Sequence, residues 1–402
     1  MWLPWPTQRG ILRGVGPSKP IPMKTFACQS CGQPVFFENV HCTRCGAPLG
    51  FLPDRLQLSA LFYIGDGIWM APLETGPMHE RPPGLLDRLF HARAHPAATR
   101  STAGHYRKCV NYAEHNVCNW MVPAESPDEF CPACAPNRTI PNLSRPGNWE
   151  KWSRIEHGKH RMVYGLLRLG LPFETKWQNP GQGLAFDFLC SHDALGDKPV
   201  ITGHLDGLIT INLDEADAAL RERVRLDMDE RYRTLVGHFR HEIGHYYWDL
   251  LIRDRGGLDA FRALFGDERV DYGSALTSYH SFGPPPDWES RFITPYASAH
   301  PWEDWAETWA HYMHIVDTLE TAEHFGITVE WPQPDGGLAI ADPNFDPYDL
   351  SRFEPIIEHW LPLTFAINSI NRSMGQQDLY PFVLSQPALD KMAFVHRTII
   401  AN

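Results

Sequence analysis

The strongest chemical signal in this 402-residue chain is the run RHEIGHYYWDLLI, where His241, Glu242 and His245 form a His-Glu-x-x-His pattern. On a helix, residues four apart lie one turn above one another, so both imidazoles project from one face and can grip a single metal ion. Glu242 stands beside them. With three protein ligands and a fourth position open, zinc draws the pKa of a bound water down to about 7, and an adjacent carboxylate can take the proton as that water attacks. Phe239, Ile243 and Trp248 flank the pattern with apolar surface, and Gly244 leaves room for close backbone approach. The chemistry implied is hydrolysis, with Glu242 as general base.

The third ligand has to come from farther along the chain. A metzincin would need Gly at 248 and His at 251, where Trp248 and Leu251 stand instead. Downstream, SAHPWEDWAETWAHYMHI sets Glu303, Glu307 and His311 at steps of four along one helical face. Such a stripe alone would read as a solvated acidic face. Trp302, Trp305 and Trp309 crowd the same turns, however, and point to burial, where a carboxylate normally has a charged or metal partner. If Glu303 binds zinc, Glu307 one turn on can accept a hydrogen bond from a ligating imidazole and fix its tautomer. Spacing alone equally allows the two glutamates to exchange roles. His238 and His311 read as core or supporting residues.

Eight of the nine cysteines fall into two sets of four. Cys28, Cys31, Cys42 and Cys45 form two Cys-x-x-Cys knuckles in CQSCGQPVFFENVHCTRCG, the spacing of a zinc ribbon. Each short spacer lets two sulfurs of one tight turn reach the same metal, and Gly32 and Gly46 ease the turns. Cys109, Cys118, Cys131 and Cys134 form a second set with one Cys-x-x-Cys pair and a looser pair; disulfides or unrelated buried thiols are the alternative there. His41, His105 and His115 could each replace a thiol. Cys190 reads as a small buried hydrophobe. Closed four-thiolate sites leave no place for substrate water, so they stabilise a fold or present a surface.

These residues require elements to position them. Trp149, Trp152, Ile155, Val163, Leu166 and Leu167 recur at helical spacing from Asn148 to Leu171, and Pro172 ends the pattern. LAFDFL and VITGHLDGLITINL, over residues 184–213, read as a small antiparallel sheet, with GLITINL as an edge on which an extended peptide could pair. A helical pattern from Ala216 to Arg253, interrupted near Asp227, carries the metal motif. Further helices are predicted around Trp302–Thr321 and Phe353–Ile370. The segment 51–105, with Pro82 and Pro83 and weak strand-like runs, closes onto the ribbons.

Composition sets the frame for these elements. Hydrophobic residues make up 43% and charged residues 21%, a globular balance. No apolar run reaches the length of a membrane span. The net charge of -12 is uneven: residues 1–150 carry 14 basic and 11 acidic side chains, the remainder 22 and 37. An acidic body repels phosphate backbones, so nucleic acid is not expected as a partner. Residues 1–22 lack a continuous apolar core and a cleavage site, and read as a loose tail or a mis-assigned start before Met23; a cytoplasmic location is expected.

The chain resembles the bacterial family of zinc-binding metallopeptidases with an N-terminal zinc ribbon, from about Cys28 to the C-terminus. The segments that carry the likeness are CGQPVFFENVHC, CNWMVPA, RTIPNL, RHEIGHYYWDLLI, GDERVDY, YASAHPWEDWAETWAHYMHIVDTLETA and NRSMGQQDLYPF. The Glu-Asp-Trp-Ala-Glu helix is similar to the third-ligand helix of glutamate zincins, including the lethal-factor type. That resemblance implies Glu303 as ligand and Glu307 as the supporting acid. It also implies that Tyr296, seven residues before Glu303, stabilises the oxyanion; an ordinary packed tyrosine is the alternative. Against thermolysin-like enzymes the chain departs in having Glu307 where those have aspartate, and in its cysteine-rich front.

The expectation is therefore an α+β, zincin-like peptidase domain over residues 148–402, preceded by a zinc-ribbon region over 23–147. It would bind one catalytic zinc and one or two structural zincs and act on a peptide or protein substrate. The rival expectation is a zinc-ribbon module that binds a protein partner, with a zincin fold that does not turn over.

Overall fold

A computed structural model describes residues 26–72, 103–171, 173–190, 200–227, 234–332, 336–348 and 351–402. Residues 1–22, Pro82, Pro83 and Pro172 lie outside the described residues. The fold is α+β, with short antiparallel sheets in the cysteine-rich front and helices packed on a four-stranded sheet behind. Among the described residues no helix is long and apolar enough to cross a membrane.

In the front, Leu49–Leu52 pairs with Gln57–Ala60, and Phe62–Gly65, Ile68–Pro72, Ala103–Lys108 and Met121–Pro123 form a meander. Every residue of Leu49–Leu52 is buried. Phe51 bridges to Trp120, with ring centroids 4.6 Å apart, so the two cysteine clusters share one apolar core. The helix Asn148–Arg168 lies against that core through Tyr164 and turns its other side toward the metal motif. Gly158 marks the second contact, since a Cβ there would sit 3.4 Å from Leu235 and 3.5 Å from Phe239.

The segment read as a small antiparallel sheet is a mixed one. Its order is Gly203–Leu205, Leu208–Asn212, Ala185–Leu189, Asn137–Thr139. Ala185–Leu189 runs parallel to both Leu208–Asn212 and Asn137–Thr139, and only the Gly203–Leu205 hairpin is antiparallel. Leu208–Asn212 is consequently interior rather than an edge. Asp206 and Gly207 both take positive φ, 47° and 80°, the two-residue turn that folds Gly203–Leu205 back as the outer strand. The opposite outer strand, Asn137–Thr139, comes from just after Cys134, and Arg138 forms a bidentate ion pair with Asp187 across the pairing.

The predicted helix from Ala216 to Arg253 is divided. Ala218–Asp227 ends before residues outside the described set, and Leu235–Trp248 starts afresh behind Thr234, whose hydroxyl accepts the Gly237 N–H at 3.0 Å. A wider π turn, Asp249–Arg253, follows directly. The helices predicted around Trp302–Thr321 and Phe353–Ile370 run Pro301–His324 and Glu354–Ser373. Leu258–Phe265, Tyr272–Phe282 and Gln386–Ile400 are additional helices.

Candidate active site

Two helices build the site, and their closeness depends on one residue. The motif helix Leu235–Trp248 crosses the glutamate helix Pro301–His324 at Gly244, where a Cβ would meet the Ala306 backbone and the Trp309 side chain at 3.2 Å. Trp305 Nε1 donates to the Gly244 carbonyl at 2.8 Å and fixes the register. The glutamate helix begins at His300, whose Nδ1 accepts the Trp302 N–H at 3.0 Å while its Nε2–H donates to the Val270 carbonyl. Pro301 opens the first turn and Glu303 and Asp304 lie within it, where the helix dipole favours negative charge.

The crossing brings His241, His245 and Glu303 together. His241 Nε2 lies 3.2 Å from His245 Nε2 and 3.0 Å from Glu303 Oε2, and His245 Nε2 lies 3.6 Å from the same oxygen. Zinc bonds of about 2.0–2.2 Å in tetrahedral array put neighbouring donor atoms roughly 3.3–3.6 Å apart. The three atoms therefore fit one such ion, and Glu303 Oε2 and His245 Nδ1 are buried without a hydrogen-bond partner of their own.

Glu307 lies one turn beyond Glu303. Its Oε1 accepts from His241 Nδ1 at 2.7 Å, and its Oε2 accepts the Thr294 hydroxyl at 2.7 Å. A proton on Nδ1 leaves Nε2 of His241 with its lone pair toward the cluster. Burial alone would push the Glu303 carboxyl up, yet the facing imidazoles of His245 and His241 hold it well below the usual carboxylate range. Burial opposes the charged form of His241, but Glu303 and Glu307 favour it and prevail, so with no metal bound Nε2 also carries a proton toward Glu303, one that a bound ion would displace. Burial raises the Glu242 carboxyl, in part offset by His241 and His245. His204, on the outer strand, is pushed down to about 3 by burial and by His245 nearby, so it stays neutral.

Tyr296 stands with its ring 6.0 Å from that of His241, and burial and Glu303 push its phenol up. His311 is buried and takes part in a 2.7 Å hydrogen bond with the Tyr380 hydroxyl, while His238 faces Glu215 at 3.3 Å. One contact of the site was not anticipated. The Tyr272 hydroxyl donates to Glu303 Oε1 at 2.6 Å. Tyr272 lies in GDERVDY and opens the spacing Tyr272, Leu276, Tyr279, a pattern that suggests a helix but says nothing of a phenol meeting Glu303.

The two cysteine sets gather as well. In the first, Cys28 and Cys45 sulfurs are 3.7 Å apart and those of Cys31 and Cys42 3.6 Å; in the second, Cys118 and Cys131 are 3.8 Å apart. Zinc–sulfur bonds of about 2.3 Å predict roughly 3.8 Å between tetrahedral thiolates, whereas a disulfide brings sulfurs to about 2.05 Å. Gly32 and Gly46, both at φ 72°, close the knuckles of the first set. None of His41, His105 and His115 joins either group of clustered ligand atoms, and Cys190 is buried apart from both. A fifth side chain does approach the second set: His160 Nε2 lies 3.2 Å from the Cys118 sulfur and 3.7 Å from that of Cys134. Its Nδ1–H donates to the Glu156 carbonyl at 2.6 Å. His160 falls on the buried face of the predicted helix with Trp152 and Ile155, and that position was the one available signal.

Comparison with known proteins identifies the family of the chain. A family model described as "Putative zinc-binding metallo-peptidase" matches residues 148–398, and a zinc-ribbon domain model matches residues 25–79 and 88–145. Uncharacterized proteins of Mycobacterium bovis and of two strains of Mycobacterium tuberculosis are each 39% identical over 380 residues, covering 94% of this chain and 95% of their own. No solved structure matches. The peptidase model takes in more than half of the chain and the ribbon model most of what precedes it, so the protein belongs to this family of zinc-binding metallopeptidases with an N-terminal zinc ribbon.

Proposed function

We propose that the protein is a zinc-dependent peptidase in which His241, His245 and Glu303 hold the catalytic ion. The observation that carries this reading is the convergence of those three donor atoms, from two helices, at tetrahedral spacing. Bound there, zinc supplies a Lewis acid that acidifies water and polarises the scissile carbonyl. Glu242, raised by burial and adjacent to both ligating histidines, takes the proton of the attacking water and delivers it to the leaving amine nitrogen. Glu307 holds His241 in the tautomer that offers Nε2. Tyr296 contributes its phenolic O–H to the developing oxyanion.

An extended peptide would pair along Gly203–Leu205, the outer strand that lies beside the motif helix. His204 on that strand stacks 6.2 Å from His245, which brings a paired backbone to the metal ligands. The two four-cysteine clusters hold structural zinc. All nine cysteines are unpaired, which suits a reducing compartment such as the cytoplasm.

The test pairs elemental zinc analysis with cleavage of a broad peptide library. Wild type should carry about three zincs per chain and His245→Ala about two, and Glu242→Gln should keep the metal and lose cleavage by a factor of at least about 100. An unchanged zinc count in His245→Ala would sink the metal assignment. Full metal with no cleavage by wild type under any condition would leave the ribbon-based protein-binding module as the better account.

A further inference from the structure

The two oxygens of Glu303 have different surroundings. Oε2 faces the two imidazoles at 3.0 and 3.6 Å, whereas Oε1 accepts the Tyr272 hydroxyl at 2.6 Å. A carboxylate can only accept, so Tyr272 is the donor. A glutamate free to turn can give both oxygens to a metal, and the second would then occupy the position that a hydrolytic site must leave for water. A phenol fixed on Oε1 opposes that.

The attachment of Tyr272 is unusual for a supporting residue. It opens the helix Tyr272–Phe282, in which no residue is buried, and Phe282 at its far end is 86% exposed. Tyr272 itself is 38% exposed, with its ring against His300 at 5.2 Å and Trp302 at 5.8 Å. Asp271 caps the helix by accepting the Ser274 N–H at 2.8 Å. No fully buried side chain holds this helix over the site: Leu276 and Tyr279 are half-buried, Tyr279 with its ring 5.6 Å from that of Tyr296, and the first side chain reaches in to Glu303.

We infer that Tyr272 is a positioning residue that holds Glu303 to the metal through one oxygen, keeping the fourth position open, and that it ties the exposed helix Tyr272–Phe282 to the metal centre. This rests on the zinc site proposed above. It assigns to Tyr272 a task separate from that given to Tyr296, because the Tyr272 proton is committed to Glu303.

Cobalt(II) tests it, since its visible absorption is strong in four-coordinate sites and weak in five-coordinate ones. The full chain is loaded with cobalt, and the spectrum of identically loaded His245→Ala is subtracted to remove the cysteine sites. Tyr272→Phe should lose about half or more of the difference band and release its metal to a chelator at least about 10-fold more readily. Asp271→Ala, which loosens the same helix without touching the phenol, should leave band and affinity as in wild type.

An unchanged spectrum and affinity in Tyr272→Phe would overturn the clamp while leaving the metal site standing. Equal changes in Asp271→Ala and Tyr272→Phe would overturn it too, by showing that helix packing alone is responsible. Absence of any difference band between wild type and His245→Ala would remove the underlying zinc assignment instead.

Discussion

The two four-cysteine clusters have the same ligand chemistry and nearly equal sulfur spacings, but they sit in opposite surroundings. In the first, Cys45 is exposed and Cys31 half-buried. Its links to the rest of the chain include Phe26 and Phe37 packing on Phe51, and an Arg161–Glu38 ion pair in partial contact with solvent. In the second, all four cysteines are buried, His160 of the peptidase region touches two of the sulfurs, and the chain leaving Cys134 becomes an outer strand of the peptidase sheet. Behind it lies a buried polar network: Glu156 Oε1 accepts from Asn137, Trp152 and Lys159, and Glu156 and Lys159 are both fully buried. The stabilising effect of a metal site depends on what its ligands fasten. The first cluster gathers a surface knuckle, and the second lies where the residues matched by the ribbon model meet those matched by the peptidase model.

The largest expected effect follows from that contrast. Cys118→Ser should abolish metal binding at the second cluster and take the peptidase region with it, because metal binding contributes about 10 kcal/mol or more to folding in small zinc modules. The reading is zinc content together with thermal unfolding followed by tryptophan fluorescence. A Cys118→Ser protein that keeps a cooperative transition near that of wild type would break the comparison.

Next in size is the buried pair. Glu156→Ala leaves the Lys159 ammonium without a counter-charge and should cost about 3–5 kcal/mol in denaturant unfolding. Glu156→Met with Lys159→Met together should recover the part of that loss due to the unpaired ammonium, while Asn137 and Trp152 still lack their acceptor. If the double variant is as unstable as the single, the network is not held by charge pairing.

Cys45→Ser should remove one zinc and deprotect amides within residues 26–48 in hydrogen exchange, yet shift the main unfolding transition by no more than about 1 kcal/mol. A collapse of the global transition would make the two clusters equivalent. The smallest effect is expected at the half-exposed ion pair, where Arg161→Ala should change stability by less than about 1 kcal/mol and less still at high salt.

The features readable from sequence were those with local spacing. The motif helix, the knuckles and the stripe of Glu303 and Glu307 are periodic patterns, and periodicity survives without knowledge of tertiary contacts. Strand pairing does not. Nothing in LAFDFL or GLITINL says that they run parallel, or that a turn at Asp206 and Gly207 adds a further strand and makes GLITINL interior. His160 and Tyr272 are reached through helix packing, from 26 residues beyond Cys134 and 31 residues before Glu303, and neither distance corresponds to a repeat. The helix Tyr272–Phe282 carries Tyr272, Leu276 and Tyr279 at helical spacing, but its side chains are at most half-buried, and that spacing does not show which group its first tyrosine meets.

The strand Asn137–Thr139 adds a consequence in time. Synthesis runs from the N terminus, so both cysteine clusters and this strand leave the ribosome before Ala185–Leu189 exists. Parallel pairing across long stretches of chain is slow and leaves strand edges exposed while it waits. A ribbon already closed on zinc would present Asn137–Thr139 as a fixed template for the strands that follow, and refolding of the peptidase region should slow when zinc is supplied late rather than early. In a zinc-starved cell the protein would then fail first as a nascent chain, before an empty site between the motif and glutamate helices could matter.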